Sequence, residues 1–226
     1  DVPMELEPGF VLSAILARED PADAFVSRTY AHIDELPPGA RVGTSSLRRQ
    51  AQLRAKRPDL RLADLRGNVN TRLAKLDRGD YDGIILAAAG LIRLGLGARI
   101  RSFLEFEESL PAPGQAALGI EIVAGDEATA ELVAELDHAP TAIACAAERT
   151  VSRLLGGSCE VPLGAYADWV DAPQPLRLRA FVANLDGSEY VDAEAFGTPD
   201  APEALGERVA AELKVKGAER IIATLD

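Results

Sequence analysis

The chain has 226 residues, of which 47% are hydrophobic and 27% charged, and a formal net charge of −12. That is enough apolar material for a substantial core in one large domain or two smaller ones, and no apolar run approaches transmembrane length. Two cysteines, Cys145 and Cys159, without Cys-x-x-Cys spacing or a histidine at ligand distance, indicate neither a disulfide framework nor a zinc site and fit a reducing cytoplasm. The opening Asp1-Val-Pro-Met-Glu-Leu-Glu has neither the basic nor the apolar region of a signal peptide. With Met4 as the single methionine and no initiator, an N-terminal segment is expected to be missing.

In chain order, the apolar run 9–17 is a predicted strand that ends in a linker at Arg18-Glu-Asp-Pro21. After Pro37-Pro-Gly39, a short strand over 40–43 feeds Thr44-Ser45-Ser46, three good N-caps, and a helix over 47–56 stopped by Pro58. The unit repeats as a strand over 60–65, a turn at Gly67-Asn68 and a helix over 69–78 with Gly79 as its cap. A third strand over 81–90 is apolar enough to be buried on both faces. Strands alternating with helices predict a parallel α/β sheet with its ligand site at the carboxyl ends of the strands. Pro111-Ala-Pro-Gly-Gln115 reads as a crossing segment, followed by a strand over 117–123 and helices over 128–136 and 141–155. The pattern then changes to strands 176–184 and 189–196 around Asp186-Gly187, a helix over 202–214 and a strand over 221–225, so that 139–226 is expected to be a separate small α+β domain.

Charge is uneven along the chain. From Arg41 to Arg101 there are fourteen Lys/Arg against five Asp, a net +9 that leaves −21 on the remainder. An acidic protein that gathers its arginines in one segment is a candidate for an anionic ligand, because guanidinium binds carboxylate or phosphate bidentately. Thr44-Ser-Ser-Leu-Arg48-Arg49 would put hydroxyls and two arginines at a helix N-terminus, a ready anion site. Arg66, at the end of the next strand, and Arg72, in the first turn of the next helix, can converge on the same crevice. Capping hydroxyls and a solvated helix face are the plainer alternative. Cys159, on Gly156-Gly-Ser-Cys, has little bulk to shield it and reads either as a reactive or covalently modified thiol or as a buried small hydrophobe. His32 and His138 stand alone and support no triad, and no Gly-x-Gly-x-x-Gly or Walker pattern is present.

Four motifs occur in order at family spacing: Val42-Gly-Thr-Ser-Ser-Leu-Arg-Arg-Gln50, Leu65-Arg-Gly-Asn68 with Thr71-Arg72-Leu73, Leu110-Pro-Ala-Pro-Gly-Gln115, and Gly156-Gly-Ser-Cys-Glu-Val-Pro162. Together with Asp1-Val-Pro3, they make the chain resemble the porphobilinogen deaminases, or hydroxymethylbilane synthases, along its whole length. The resemblance implies a transferase that joins four porphobilinogens head to tail, releasing ammonia at each step, on a covalent dipyrromethane cofactor. It further implies that Cys159 is the thioether attachment and that Asp1 is the catalytic carboxylate, stabilising positive charge as the aminomethyl group leaves. Thr44, Ser45, Ser46, Arg48, Arg49, Arg66, Gly67 and Arg72 would hold cofactor and substrate carboxylates, and Gln115 would lie in a hinge. Each pyrrole bears two carboxylates, which accounts for a concentrated +9.

By resemblance the fold is α/β and α+β: two periplasmic-binding-protein-like domains with parallel or mixed sheets, and a cofactor-bearing third. Residues 1–16 and 117–134 would be the remnant of domain 1, 22–110 domain 2, and 139–226 domain 3. A cytoplasmic monomer without metal, nucleic acid or membrane partners is expected, and a chain lacking the family's N-terminal segment is expected to have little or no activity. The family commonly has Gly-Gln-Gly-Ala where this chain has Gly114-Gln115-Ala116-Ala117, which puts a hinge role for the second glycine in doubt because alanine restricts φ. A module that captures a small anion without chemistry would explain the arginines but not a cysteine on a glycine loop. Nucleic-acid binding is disfavoured, since between Arg41 and Arg101 only Tyr81 could stack on a base.

Overall fold

The computed structural model describes residues 3–156 and 161–225, so Asp1 and Cys159 lie outside the described residues. The described strands form three sheets. β1 (Phe10–Ile15) pairs antiparallel with β7 (Gly119–Val123), bringing together segments more than a hundred residues apart, and α4 (Glu127–Ala134) packs beside them under an Asp126 cap.

The second sheet has five strands in the order β4 (Arg61–Ala63), β3 (Arg41–Gly43), β5 (Gly83–Ala87), β2 (Asp23–Val26) and β6 (Ser102–Phe103). β3 runs parallel to β4 and to β5, as the alternating pattern predicts. β2 and β6 depart from an all-parallel sheet, since β2 runs antiparallel to both β5 and β6. The reversal places the first residue of β2, Asp23, opposite Ala87 at the carboxyl end of β5. Nothing in the sequence reading marked β2; its four residues are all buried, too short a run to display a period.

Three helices follow these strands. α1 (Leu47–Lys56) starts where the Ser46 hydroxyl accepts from the Arg49 N–H, and α2 (Val69–Asp77) starts where Asn68 accepts from Thr71. α2 ends at Gly79, whose φ of +86° lets the Asp80 N–H reach the Lys75 carbonyl. α3 (Ala88–Arg93) continues directly from β5.

The third sheet, β8 (Leu163–Trp169), β9 (Leu176–Ala183) and β10 (Tyr190–Gly197), is antiparallel throughout, with Asp186-Gly187 at the β9–β10 turn. α5 (Ala139–Leu154) and α6 (Pro202–Val215) close its core through Val151, Leu176, Leu178, Val209 and Leu213. No strand forms over 221–225: Ile221 and Ile222 instead end a helix, α7 (Ala218–Ile222), and the chain turns after it. A short apolar run does not distinguish strand from helix, and here Ala218 and Ile221, three residues apart, bury one helical face in that core.

Candidate functional site

The carboxyl ends of β3 and β4 and the start of α1 bring most of the expected anion-binding residues together. The Thr44 hydroxyl turns inward and accepts from the Ser46 N–H at 3.3 Å, while Ser45 accepts from the Leu65 N–H at 2.9 Å and ties the two strand-to-helix loops to each other. Ser46 caps α1, so the three hydroxyls build the loop as well as line it.

Arg48 and Arg49 follow in the first turn and are both buried. The reason is a residue that the sequence reading missed: Asp23, fully buried, receives Arg48 Nη2 at 2.8 Å and Arg49 Nη2 at 2.7 Å. A carboxylate before an apolar triplet carries no local signal, and only the reversed strand brings it here. Burial alone would raise its pKa, but Arg48 and then Arg49 outweigh burial and hold the carboxyl well below the usual carboxylate range. Gln115 joins the cluster, donating to Asp23 at 2.9 Å and to the Pro21 carbonyl at 2.6 Å.

Arg72 donates its Nε to the Gly67 carbonyl at 2.7 Å. Burial first, and then the Arg49 charge, lower its pKa. Arg66 is not drawn in: its side chain is 82% exposed and only loosely paired with Asp64, at 3.6 Å. Gly67, at φ +115° with no room for a Cβ beside Thr71, permits the tight turn between them.

A second buried cluster holds the two connecting segments against the third sheet. Arg18 grips Glu148 of α5 bidentately at 2.7 and 2.6 Å, and Glu148 also accepts from the N–H groups of Gly114 at 2.6 Å and Ala167 at 2.8 Å. Cys145, one turn away, is buried and its thiol is pushed up to about 12, by burial first and then by the Glu148 charge. It therefore stays protonated at neutral pH, which makes it a poor nucleophile. Arg149 on the same helix donates to the carbonyls of Pro3 and Met4 at 2.9 and 3.0 Å, which holds these two residues against α5. His138 occupies the N-cap position of α5, but its Nδ1 lies 2.8 Å from the Thr141 hydroxyl and makes no capping bond to a backbone N–H.

Arg49 gives one Nη to Asp23 and buries an Nε without a partner among the described residues, and the α1 terminus adds its dipole. Fold and site together define a mixed α/β protein that gathers arginines at its strand-to-helix junctions.

A family profile described as porphobilinogen deaminase, dipyromethane cofactor binding domain, matches residues 1–131, and one for the porphobilinogen deaminase C-terminal domain matches 142–215. The porphobilinogen deaminase of Ralstonia nicotianae is 62% identical over 228 residues, which cover 100% of this chain and 68% of that protein. The porphobilinogen deaminase of Thiobacillus denitrificans is 57% identical over 225 residues, covering 100% of this chain and 73% of that one. The chain belongs to the porphobilinogen deaminase family, a transferase family of tetrapyrrole biosynthesis with a dipyrromethane cofactor. Among solved structures, a putative methionine-binding lipoprotein from Bacillus subtilis matches at 13% identity and a TM-score of 0.40 over 57% of this chain and 61% of that one, too partial a likeness to carry an argument. Among the described residues no helix is long and apolar enough to cross a membrane.

Proposed function

We propose that this chain joins four porphobilinogen molecules head to tail, with loss of ammonia, to give hydroxymethylbilane, and that it does so on a dipyrromethane bound as a thioether to Cys159. When bound, that cofactor supplies the primer to which the first incoming unit is joined. Its carboxylates, and those of the growing chain, would be held by Arg49 and Arg72 at the α1 and α2 termini, with Arg48, Thr44, Ser45, Ser46 and Gly67 shaping the cradle. Arg66, exposed at its rim, is free to meet substrate carboxylates arriving from solvent. Asp1 is assigned the catalytic carboxylate, beside the aminomethyl group as ammonia leaves.

The observation that carries this reading is the cluster of buried and half-buried arginines at one strand-to-helix edge of a chain with net charge −12. Cys159 is favoured over Cys145 as the anchor because Cys145 is buried, protonated and shielded by Arg18 and Glu148. A three-part division into 1–16 with 117–134, 22–110 and 139–226, with Gln115 in a hinge, belongs to the same proposal, and the presence of three separate sheets supports it. A cytoplasmic monomer, without nucleic-acid or membrane partners, completes the proposal.

Intact mass followed by peptide mapping tests it directly. A dipyrromethane adduct on the peptide containing Cys159 is expected, with bilane released from porphobilinogen by protein that carries the family's N-terminal segment and little or none by these 226 residues alone. An unmodified Cys159 in protein that turns over porphobilinogen would remove the anchor from the proposal.

A further inference from the structure

We propose that Asp23 is a positioning residue for carboxylate binding: a single buried carboxylate orients the Arg48–Arg49 pair and fastens it to both connecting segments, leaving donors of Arg49 for the ligand. The inference rests on the carboxylate-binding role proposed above for the α1 terminus.

Asp23 is itself saturated. Its Oδ1 accepts from Arg49 Nη2 at 2.7 Å, Gln115 Nε2 at 2.9 Å and Arg48 Nη2 at 3.1 Å, and its Oδ2 accepts from the Ser109 hydroxyl at 2.6 Å and Arg48 Nη2 at 2.8 Å. A carboxylate offers about four lone-pair sites, so five such contacts leave it no capacity for a ligand. Its effect must pass through its neighbours.

Those neighbours need it. A helix N-terminus favours anions and disfavours cations, yet the first turn of α1 contains no acidic residue and two arginines. Burial works against the Arg48 charge, Asp23 supports it, and Arg49 opposes it. Asp23 thus supplies, from a neighbouring strand, the negative charge that helix termini commonly draw from their own first turn, and the trio retains one net positive charge for the ligand.

The two arginines are not equivalent within the trio. Arg48 spends Nη1 on the Leu110 carbonyl and Nη2 on Asp23 and Gln115, which locks it to the segment around 110–115. Arg49 makes one side-chain hydrogen bond among the described residues, to Asp23. Asp23 immediately follows the first connection, and Gln115, in the second, donates both to Asp23 and to Pro21. The geometry of Arg49 is therefore set by how both connections are held.

A double-mutant cycle on the full chain tests this, with Asp23→Asn, Arg49→Gln and the pair, reading the fraction that carries dipyrromethane, KM and kcat for porphobilinogen per loaded enzyme, and Tm. Asp23→Asn is expected to lower loading and raise KM about tenfold, as for loss of one charge-assisted orienting contact, with a smaller change in kcat. In the Arg49→Gln background the same change should add less than about twofold, because its target is gone. Equal effects in both backgrounds, or a lower Tm with KM unchanged, would overturn the proposal.

Should Asp23→Asn fail to fold, Ser109→Ala removes one orienting hydroxyl from Asp23. It should raise KM roughly two- to threefold, in line with one neutral hydrogen bond, and an unchanged KM would count against the inference. Should the wild type carry no dipyrromethane and release no bilane, the function proposed above fails. The inference is then read from thermal stabilisation by citrate as a polycarboxylate probe, which Asp23→Asn or Ser109→Ala should weaken and which an unaltered response would refute.

Discussion

Ala116 carries a cost that its neighbours do not relieve. It sits at φ +72°, the one non-glycine with positive φ among the described residues, in the segment where the family commonly has glycine. The sequence predicts that alanine restricts φ here, yet the backbone adopts the left-handed conformation, with the Ala116 carbonyl accepting from the Glu19 N–H and from Arg93. Left-handed alanine costs about 1–2 kcal/mol, while glycine adds roughly 0.4–1 kcal/mol of unfolded-state entropy. Ala116→Gly should therefore raise Tm by about 1–2 °C in a chain of this length, measurable by calorimetry. Cys145 makes a second residue-scale prediction: iodoacetamide on the native protein at neutral pH should leave it unmodified, because its thiol is pushed up to about 12 and buried. Asp23 makes a third. Its folded pKa is depressed, so the stability it contributes is present above its unfolded value near 3.9 and is lost as pH falls toward the depressed one. Asp23→Asn should flatten the loss of stability below about pH 4, as read from acid-titrated melting curves; an unchanged acid limb would contradict the assignment.

α1 is the element on which the units converge. One end of it carries the arginines, and its middle is wedged between the five-stranded sheet and the third one, where Ala51 shares a small core with Leu110, Phe181 and Ala183. The turn between β9 and β10 closes against it: a Cβ on Gly187 would come within 2.7 Å of the Ala51 carbonyl and 2.8 Å of the Ala55 N–H, at a backbone φ of +74°. Gly187→Ala should cost about 2 kcal/mol from the left-handed conformation and the clash, and lower Tm by roughly 4–8 °C. The elements themselves differ in how much sequence revealed of them. α1 was predicted at its observed boundaries because Ser46 and Pro58 punctuate it from both sides. Sequence leaves β2 unmarked and predicts a strand at the end of α7 because both are short apolar runs whose type is decided by partners: β5 and β6 for the former, the third core for the latter.

At the scale of the molecule, two buried ion clusters sit where the chain passes between its units. Asp23 with Arg48, Arg49 and Gln115 holds one side of the passage, and Glu148 with Arg18, Gly114 and Ala167 holds the other. Glu148→Ala would leave Arg18 buried without its partner and two N–H groups unpaired, an expected loss of about 3–5 kcal/mol; Glu148→Gln, which keeps the shape but not the charge, should lose less, as a chemical denaturation series would report. The sequence by itself determined the family, the α/β and α+β make-up, the candidate anion-binding loops with Arg48, Arg49 and Arg72, and the candidacy of Cys159. These are legible because they depend on local chemistry: caps, turns, periodicity and motifs with nearly fixed spacing. Only the tertiary structure decided that Asp23 is the counter-ion of the arginine pair, that Arg66 stands apart from it, and that Glu148 binds both connections. Those pairings join residues 25 to 130 positions apart in the chain, and their energy comes from removing charges from water together, a condition that exists only once the sheets have formed.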